Sequence, residues 1–419
     1  MKLLMPYGEK GMQIELPSSA FVAKAHMPAG VPESETADVI VKSLRNSIGF
    51  RLEELVRDAE RISVLVTDKT RATPNVPMLT ALIDAIGQGH DITIVVSNGL
   101  HRPAGEEELR KLVGEEIYER YEVVNHNSDD EDTAYVGKTS RGTDFYLNRS
   151  VAVSDLIIGT GLIEPHFFAG YSGGRKLLLP GAASTRTVYQ NHDYKKIADP
   201  RSDYGYLEGN PIHEDMVEAA KMVKTFRFIV NVLLDEQRRV IAAFSGDPYR
   251  AHVLGAKKYD SFGRVAVPFE ADVTIVTNGG APLDLNLYQA VKGMTTAARV
   301  TKRGGVIVIL SRCREGIGHE SFRELAAYSK NPSKILDRIR RDEPIRDQWQ
   351  VQKLEQVLLK SKVVVVSEGV RDKEVEELNM IPASGFDEAL EIALRLAGGD
   401  KIVAIPDGPY VIPYLANPA

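Results

Sequence analysis

Three side chains able to do chemistry lie in one glycine-rich stretch. They are His166, Lys176 and His192, in Gly161-Leu-Ile-Glu-Pro-His-Phe-Phe-Ala-Gly-Tyr-Ser-Gly-Gly-Arg-Lys-Leu-Leu-Leu-Pro-Gly181 and its continuation through Ser184 to Asn191-His192. A lone histidine is most often a satisfied polar residue, and a lysine beside an arginine is most often a solvated charge. The context here is different, because Phe167-Phe168 follow the first histidine and Leu177-Leu178-Leu179 follow the lysine. An ammonium group among apolar side chains loses hydration, its pKa falls, and the free amine becomes a nucleophile. Gly170, Gly173 and Gly174 permit close backbone approach, and the segment opening at Ser184 offers a helix amino terminus to an anion. Ser172, Gly173 and Gly174 are the candidate cradle of a phosphate-bearing cofactor beside Lys176.

The elements that must position these groups are legible in the hydrophobic pattern. Asp155-Leu-Ile-Ile-Gly-Thr160 reads as a buried strand emptying into the glycine-rich stretch. Two earlier units have the same form. Arg61-Ile-Ser-Val-Leu-Val-Thr67 leads into Asp68-Lys-Thr-Arg-Ala-Thr-Pro74 and a helical pattern over 76–86. Asp91-Ile-Thr-Ile-Val-Val-Ser97 leads into Asn98-Gly-Leu-His-Arg-Pro103 and a helix beginning near Gly105. Successive strand, loop and helix units with right-handed crossovers build a parallel sheet and bring their exit loops to one edge, where ligands of open α/β sheets collect. That edge gathers Asp68, Thr70, Arg71 and His101. Asp68 and Thr70 equally suit turn capping, and His101 equally suits an exposed turn. Arg71 can give two parallel hydrogen bonds to a carboxylate.

Strands over Phe226–Leu234 and 240–244 finish that sheet, and the rhythm restarts near residue 266. Asp272-Val-Thr-Ile-Val-Thr277 is a strand, Asn278-Gly-Gly-Ala-Pro-Leu-Asp284 its exit, and on the helix that follows Gln289 and Lys292, three apart, share one face. Further strands fall at 305–310, 363–367 and 401–405. The fold class is α/β: two Rossmann-like domains with mainly parallel sheets and a site in the cleft between them. The first domain spans 1–265, rejoined by about 406–419, and the second spans 266–405. Residues 125–143, with Asp129-Asp-Glu-Asp132, read as a solvated loop, since four adjacent acids lack the spacing and central glycine of a calcium loop.

The run Glu164-Pro-His-Phe-Phe-Ala-Gly-Tyr-Ser-Gly-Gly-Arg-Lys176 with His192 downstream resembles the nickel-pincer-dependent lactate racemase family. Asp-x-Thr-Arg at 68–71, Gly-x-His-Arg-Pro at 99–103 and Tyr-Gln-x-x-Lys at 288–292 are similar to further signatures of that family, so the resemblance spans most of the chain. It implies a cofactor, pyridinium-3-thioamide-5-thiocarboxylic acid mononucleotide, tethered to Lys176 through a thioamide. Nickel would sit between two sulfurs and a ring carbon, with His192 as the remaining ligand. The resemblance also implies acid/base roles for His101 and His166. It places Arg71 against the substrate carboxylate, Asp68 and Thr70 toward the cofactor, and Gln289, Lys292 and Trp349 at the substrate end. Leu100 stands where many members have threonine, a departure that bears on pocket shape. The implied reaction is racemisation of a lactate-like 2-hydroxy acid, or C2 epimerisation of a longer sugar acid, with hydride leaving one face of C2 and returning to the other. A histidine on each face suits the hydroxyl proton, because imidazole titrates near neutrality. Maturation would need cofactor-synthesis and nickel-insertion enzymes.

Composition is compatible with that reading. The 419 residues allow two or three domains with ample core, and a net charge of -6 disfavours nucleic acid or an anionic membrane as partner. A small molecule is the better ligand. Cys313 is the sole cysteine, which excludes an intrachain disulfide and a thiolate cluster supplied by protein, so a soft metal would draw most ligands from elsewhere. No apolar run approaches the roughly 20 residues of a membrane helix, and Met1-Lys-Leu-Leu-Met-Pro6 is too short for a signal peptide, which gives a cytoplasmic expectation. No Gly-x-Gly-x-x-Gly follows a strand and no Walker lysine pattern occurs. On residue types alone, two other readings stay open: a pyridoxal-phosphate lysine enzyme, and a ligand-binding protein without turnover.

Overall fold

The computed structural model describes residues 1–416. Among these, two six-stranded sheets organise the chain. The first has the order Val240–Gly246, Phe226–Leu234, Leu156–Leu162, Arg61–Thr67, Asp91–Ser97, Glu122–Asn125. Neighbours are parallel except for the edge pair Phe226–Leu234 and Val240–Gly246. Leu156–Leu162 is buried at every position, the near-continuous apolar pattern of a strand covered on both faces. Alternation along Arg61–Thr67 serves the two layers. Val64 and Val66 pack with Leu79 and Leu82 of the Asn75–Ile86 helix, while Leu65 packs with Phe168 and Leu177 of the glycine-rich stretch.

Strand order reverses between Arg61–Thr67 and Leu156–Leu162, since the chain moves outward from the first to Asp91–Ser97 and from the second to Phe226–Leu234. Such a reversal opens a crevice at the carboxyl ends of the two strands. The second sheet repeats this logic. Its order is Ile381–Ala383, Lys362–Val366, Thr301–Leu310, Ala271–Thr277, Ile402–Ile405, Phe21–Val22, parallel throughout, with the reversal between Ala271–Thr277 and Ile402–Ile405.

Two expectations need correction. Residues 1–22, assigned by sequence to the first domain, lie with the second sheet: Phe21–Val22 is its edge strand, and Met5, Tyr7, Ile14 and Leu16 pack against Val273 and Ile275. A two-residue strand has no periodicity to read. The segment 125–143 is not all loop, because Thr133–Lys138 pairs antiparallel with Asp144–Asn148. Its half-exposed face carries polar residues that mask the strand pattern. Near the chain's end, Ile412–Leu415 runs parallel to Arg264–Val267, and Ile412 is buried among side chains of the first sheet's core.

Candidate active site

The glycine-rich stretch is folded down onto its sheet. Pro165–His166 pairs with Gly170–Tyr171 in a tight hairpin, and a Cβ at Gly159 would stand 2.6 Å from Leu177. Glycine in the strand thus lets the segment carrying Lys176 seat directly on it. Ser172 Oγ donates to Leu162 O at 2.9 Å and accepts from Glu164 N at 3.0 Å, and Gly174 N–H donates to Asn231 Oδ1 at 2.9 Å. Gly173 and Gly174 both have positive φ, +77° and +55°. Ser172 and Gly174 spend these polar groups on Leu162, Glu164 and Asn231, and what they fix is the position of Lys176.

Lys176 Nζ lies 3.0 Å from His166 Nε2, while Ala169 N–H donates to His166 Nδ1 at 3.3 Å. With Nδ1 accepting, the neutral ring carries its proton on Nε2. The 3.0 Å contact is then a hydrogen bond from the ring to an uncharged lysine amine. The surroundings agree. Burial holds Lys176 well below the ordinary lysine range, and the positive charges of Arg175, Arg71 and Lys292 add to that. Burial likewise holds His166 well below the usual imidazole range, reinforced by the positive charges of Arg71 and Lys292. Phe168 seals this corner, its ring edge-on to His166 at 4.5 Å.

A narrow cavity of about 20 Å³ joins the two sheet reversals. Arg71, Glu164, His166 and Phe167 line it from the exits of Arg61–Thr67 and Leu156–Leu162, and Leu283, Pro409 and Tyr410 from the exits of Ala271–Thr277 and Ile402–Ile405. Tyr204 and Lys292 complete the wall. Arg71 Nε is 3.8 Å from Glu164 Oε1. Lys292 Nζ donates to Gln289 Oε1 at 2.7 Å, so the shared helix face read from sequence is a bonded pair. Burial, then the charge of Arg71, pushes Lys292 down to about 7.

His101 sits on the next exit loop, tied to the far end of the glycine-rich stretch by Gly99 N–H donating to Gly181 O at 2.9 Å. Its Nδ1 is 2.7 Å from Asp68 Oδ2, and Thr70 Oγ donates to Asp68 Oδ1 at 2.7 Å. Burial alone would raise the Asp68 carboxyl, but the bond to His101 and the charge of Arg71 outweigh it and hold the group below its ordinary value. A carboxylate on Nδ1 fixes the tautomer and leaves Nε2 as the basic nitrogen. Asp68 and Thr70, read as facing a cofactor, here orient His101. Leu100 packs against the first sheet's core.

His192 is buried at the end of the Thr185–Asn191 helix, and its Nδ1 has no partner in the chain. Its ring lies edge-on to Phe168 at 5.0 Å and to Trp349 at 5.2 Å. Trp349 comes from the Gln348–Lys360 helix of the second domain yet is buried with side chains of the first. Among the described residues no group of three or more His, Cys, Asp or Glu side chains comes together that could hold a metal, and Cys313 is buried in the second domain's core. No helix among them is long and apolar enough to cross a membrane. Glu164, Tyr204, Leu283, Pro409 and Tyr410 were not singled out from sequence. Leu283 and Pro409-Tyr410 were findable in principle, as the residues following the two strands that flank the second reversal.

Fold and cleft together define a two-domain α/β protein with a cavity where two sheet reversals meet, lined by Arg71, Lys292 and His166, the last in contact with the Lys176 amine. Residues 7–205 match the lactate racemase N-terminal domain and residues 267–413 the lactate racemase C-terminal domain. The chain belongs to the lactate racemase family. It is 37% identical over 421 residues to the lactate racemase of Thermoanaerobacterium thermosaccharolyticum, covering 97% of this chain and 98% of that one. It is also 37% identical over 419 residues to the lactate racemase of Lactiplantibacillus plantarum, with the same coverage of 97% and 98%. The structure of the T. thermosaccharolyticum lactate racemase apoprotein superposes with a TM-score of 0.93 at 36% identity, covering 99% of this chain and 100% of that one. A Thermotoga maritima protein shares the fold, with a TM-score of 0.70 at 19% identity over 93% of this chain and 99% of that one.

Proposed function

We propose that this chain interconverts the enantiomers of lactate, or of a 2-hydroxy acid close to it in size. One observation carries the reading: a single small cavity holds two carboxylate-binding cations, Arg71 and Lys292, beside His166 and the Lys176 amine. Relatives named lactate racemase, matched over nearly the whole chain, support it.

The residues present fit a nickel-pincer nucleotide. Lys176 is an amine in a dry corner where burial disfavours its ammonium form, apt for a covalent link. His192 is a buried imidazole edge-on to Phe168, whose ring also faces the Lys176 amine at 5.6 Å. With no cluster of protein ligands around it among the described residues, most of a metal's donors would belong to the nucleotide. When bound, linked to Lys176 and with its nickel on His192, this group would supply the acceptance and return of hydride at the substrate's C2.

The chain's own residues do the rest. Arg71 and Lys292 bind the carboxylate, each charged hydrogen bond worth about 1.5–3 kcal/mol. Phe167, Leu283 and Pro409 present apolar surface that suits a methyl substituent better than the polyol of a sugar acid. His101 takes the hydroxyl proton on Nε2 while Asp68 keeps its Nδ1 proton in place. His166 serves the opposite face, its proton held on Nε2.

The test uses protein produced together with the cofactor-synthesis and nickel-insertion enzymes. L- and D-lactate should each be converted to the racemate, and the peptide containing Lys176 should carry the nucleotide's mass. Activity from the bare chain mass, or faster turnover of longer sugar acids than of lactate, would overturn the reading.

A further inference from the structure

His192 and Asp193 are the only two residues between the Thr185–Asn191 and Tyr194–Ala198 helices. Helices of seven and five residues cannot hold a direction by themselves. The His192 ring lacks the usual aid as well. A metal-binding imidazole normally donates its second nitrogen to a carboxylate or carbonyl, whereas Nδ1 here is buried without a partner. Its direction therefore comes from the edges of Phe168 and Trp349 and from the backbone of the two-residue elbow.

That backbone is gripped from both sides. The Asn191 side-chain amide donates to Asp215 Oδ2 at 2.8 Å. Lys196 Nζ donates to Gln190 O at 2.6 Å and to Asp193 Oδ2 at 2.7 Å, and it stands 3.7 Å from Asp215 Oδ2. Asp215 is fully buried, and Thr139 Oγ donates to its other oxygen at 2.5 Å. A buried carboxylate and ammonium are tolerated only when their bonds are kept, so the arrangement resists any rotation of the elbow that would break one.

We propose that Asn191, Asp215 and Lys196 are positioning residues that clamp the His192 elbow and thereby set how tightly that ring retains a metal. This rests on the reading of His192 as nickel ligand. It assigns the hold on the metal partly to groups that never touch it.

The experiment measures nickel release from holoprotein into excess chelator, by metal analysis, with the mass of the Lys176 peptide confirming that the nucleotide stays attached. Asn191→Ala and Lys196→Met should release nickel about tenfold faster than the parent, and Lys196→Arg should restore most of the retention. Ser63→Ala, which removes a buried hydroxyl pair with Ser154 at 2.7 Å elsewhere in the first sheet, should release at the parent rate. A readout independent of loading comes from Trp349, the only tryptophan, whose ring meets His192. Apoprotein fluorescence should shift in the two elbow variants and stay unchanged in Ser63→Ala. Parent-rate release from both elbow variants overturns the clamp, as does equally fast release from Ser63→Ala. His192→Ala separates the two levels. Parent-rate release from that variant overturns the ligand reading, whereas fast release from it alone overturns only the clamp.

Discussion

His166 lies in a dry corner, its Nε2 3.0 Å from Lys176 and no carboxylate bonded to its ring, whereas His101 is half exposed and bonded through Nδ1 to Asp68 at 2.7 Å. Both are imidazoles on exit loops of the same sheet, yet their neighbours place the proton differently. The first carries it on Nε2, held there because a backbone N–H already occupies Nδ1. The second keeps it on Nδ1 against a carboxylate and offers Nε2 as base. A racemase can use such unequal partners. Enantiomers have equal free energy, so kcat/KM must be the same in both directions, and any inequality of the histidines shows only in kcat and KM taken separately.

The largest effect should come from deleting either partner. His101→Ala and His166→Ala should each lower steady-state racemisation of holoprotein by roughly 10² to 10⁴ in both directions, the scale of one general acid/base group. A variant retaining full rate from one enantiomer would break the pairing.

The next effect concerns the charge that shares the cavity with His166. Lys292, pushed down to about 7, is an ammonium below that pH and a neutral amine above it. Carboxylate binding should accordingly weaken as pH rises through about 7, seen as a rise in KM on the alkaline side. Lys292→Met should raise KM about 10- to 100-fold below pH 7, the loss of one charged hydrogen bond. Lys292→Arg should keep binding at pH 6 and remove the alkaline limb, because guanidinium does not titrate there. An unchanged limb in Lys292→Arg would show that another group sets it.

Asp68→Asn should have the smallest effect, near tenfold in kcat, since one hydrogen bond of about 1–1.5 kcal/mol is weakened while its shape is kept. His166 has no carboxylate to lose, so single-turnover rates in this variant should drop mainly for the enantiomer that uses His101. Equal drops for both enantiomers would erase the distinction between the two sites.

The strands that position the site were legible because parallel strands buried on both faces leave continuous apolar runs, as in Leu156–Leu162. Lys176, His166 and His192 were legible because apolar neighbours surround charged or basic groups within one short stretch. The bond between His101 and Asp68 spans 33 positions and two exit loops, and no local pattern encodes it. The same holds for Phe21–Val22, too short to show a period. Gly170, Gly173 and Gly174 have the positive φ read from the sequence, yet the Ser172 hydroxyl and the Gly174 N–H turn inward to Leu162 and Asn231. Composition cannot say which side of a loop its donors face.

The most direct measurement is a single turnover of C2-deuterated L- and D-lactate by parent, His101→Ala and His166→Ala holoproteins in ordinary water. The parent should keep deuterium at C2 of the product. Each variant should still cleave the C2–D bond of one enantiomer with a primary isotope effect, and the two variants should prefer opposite enantiomers. Loss of deuterium to solvent, or the same enantiomer preference in both variants, would contradict two histidines serving opposite faces of one carbon.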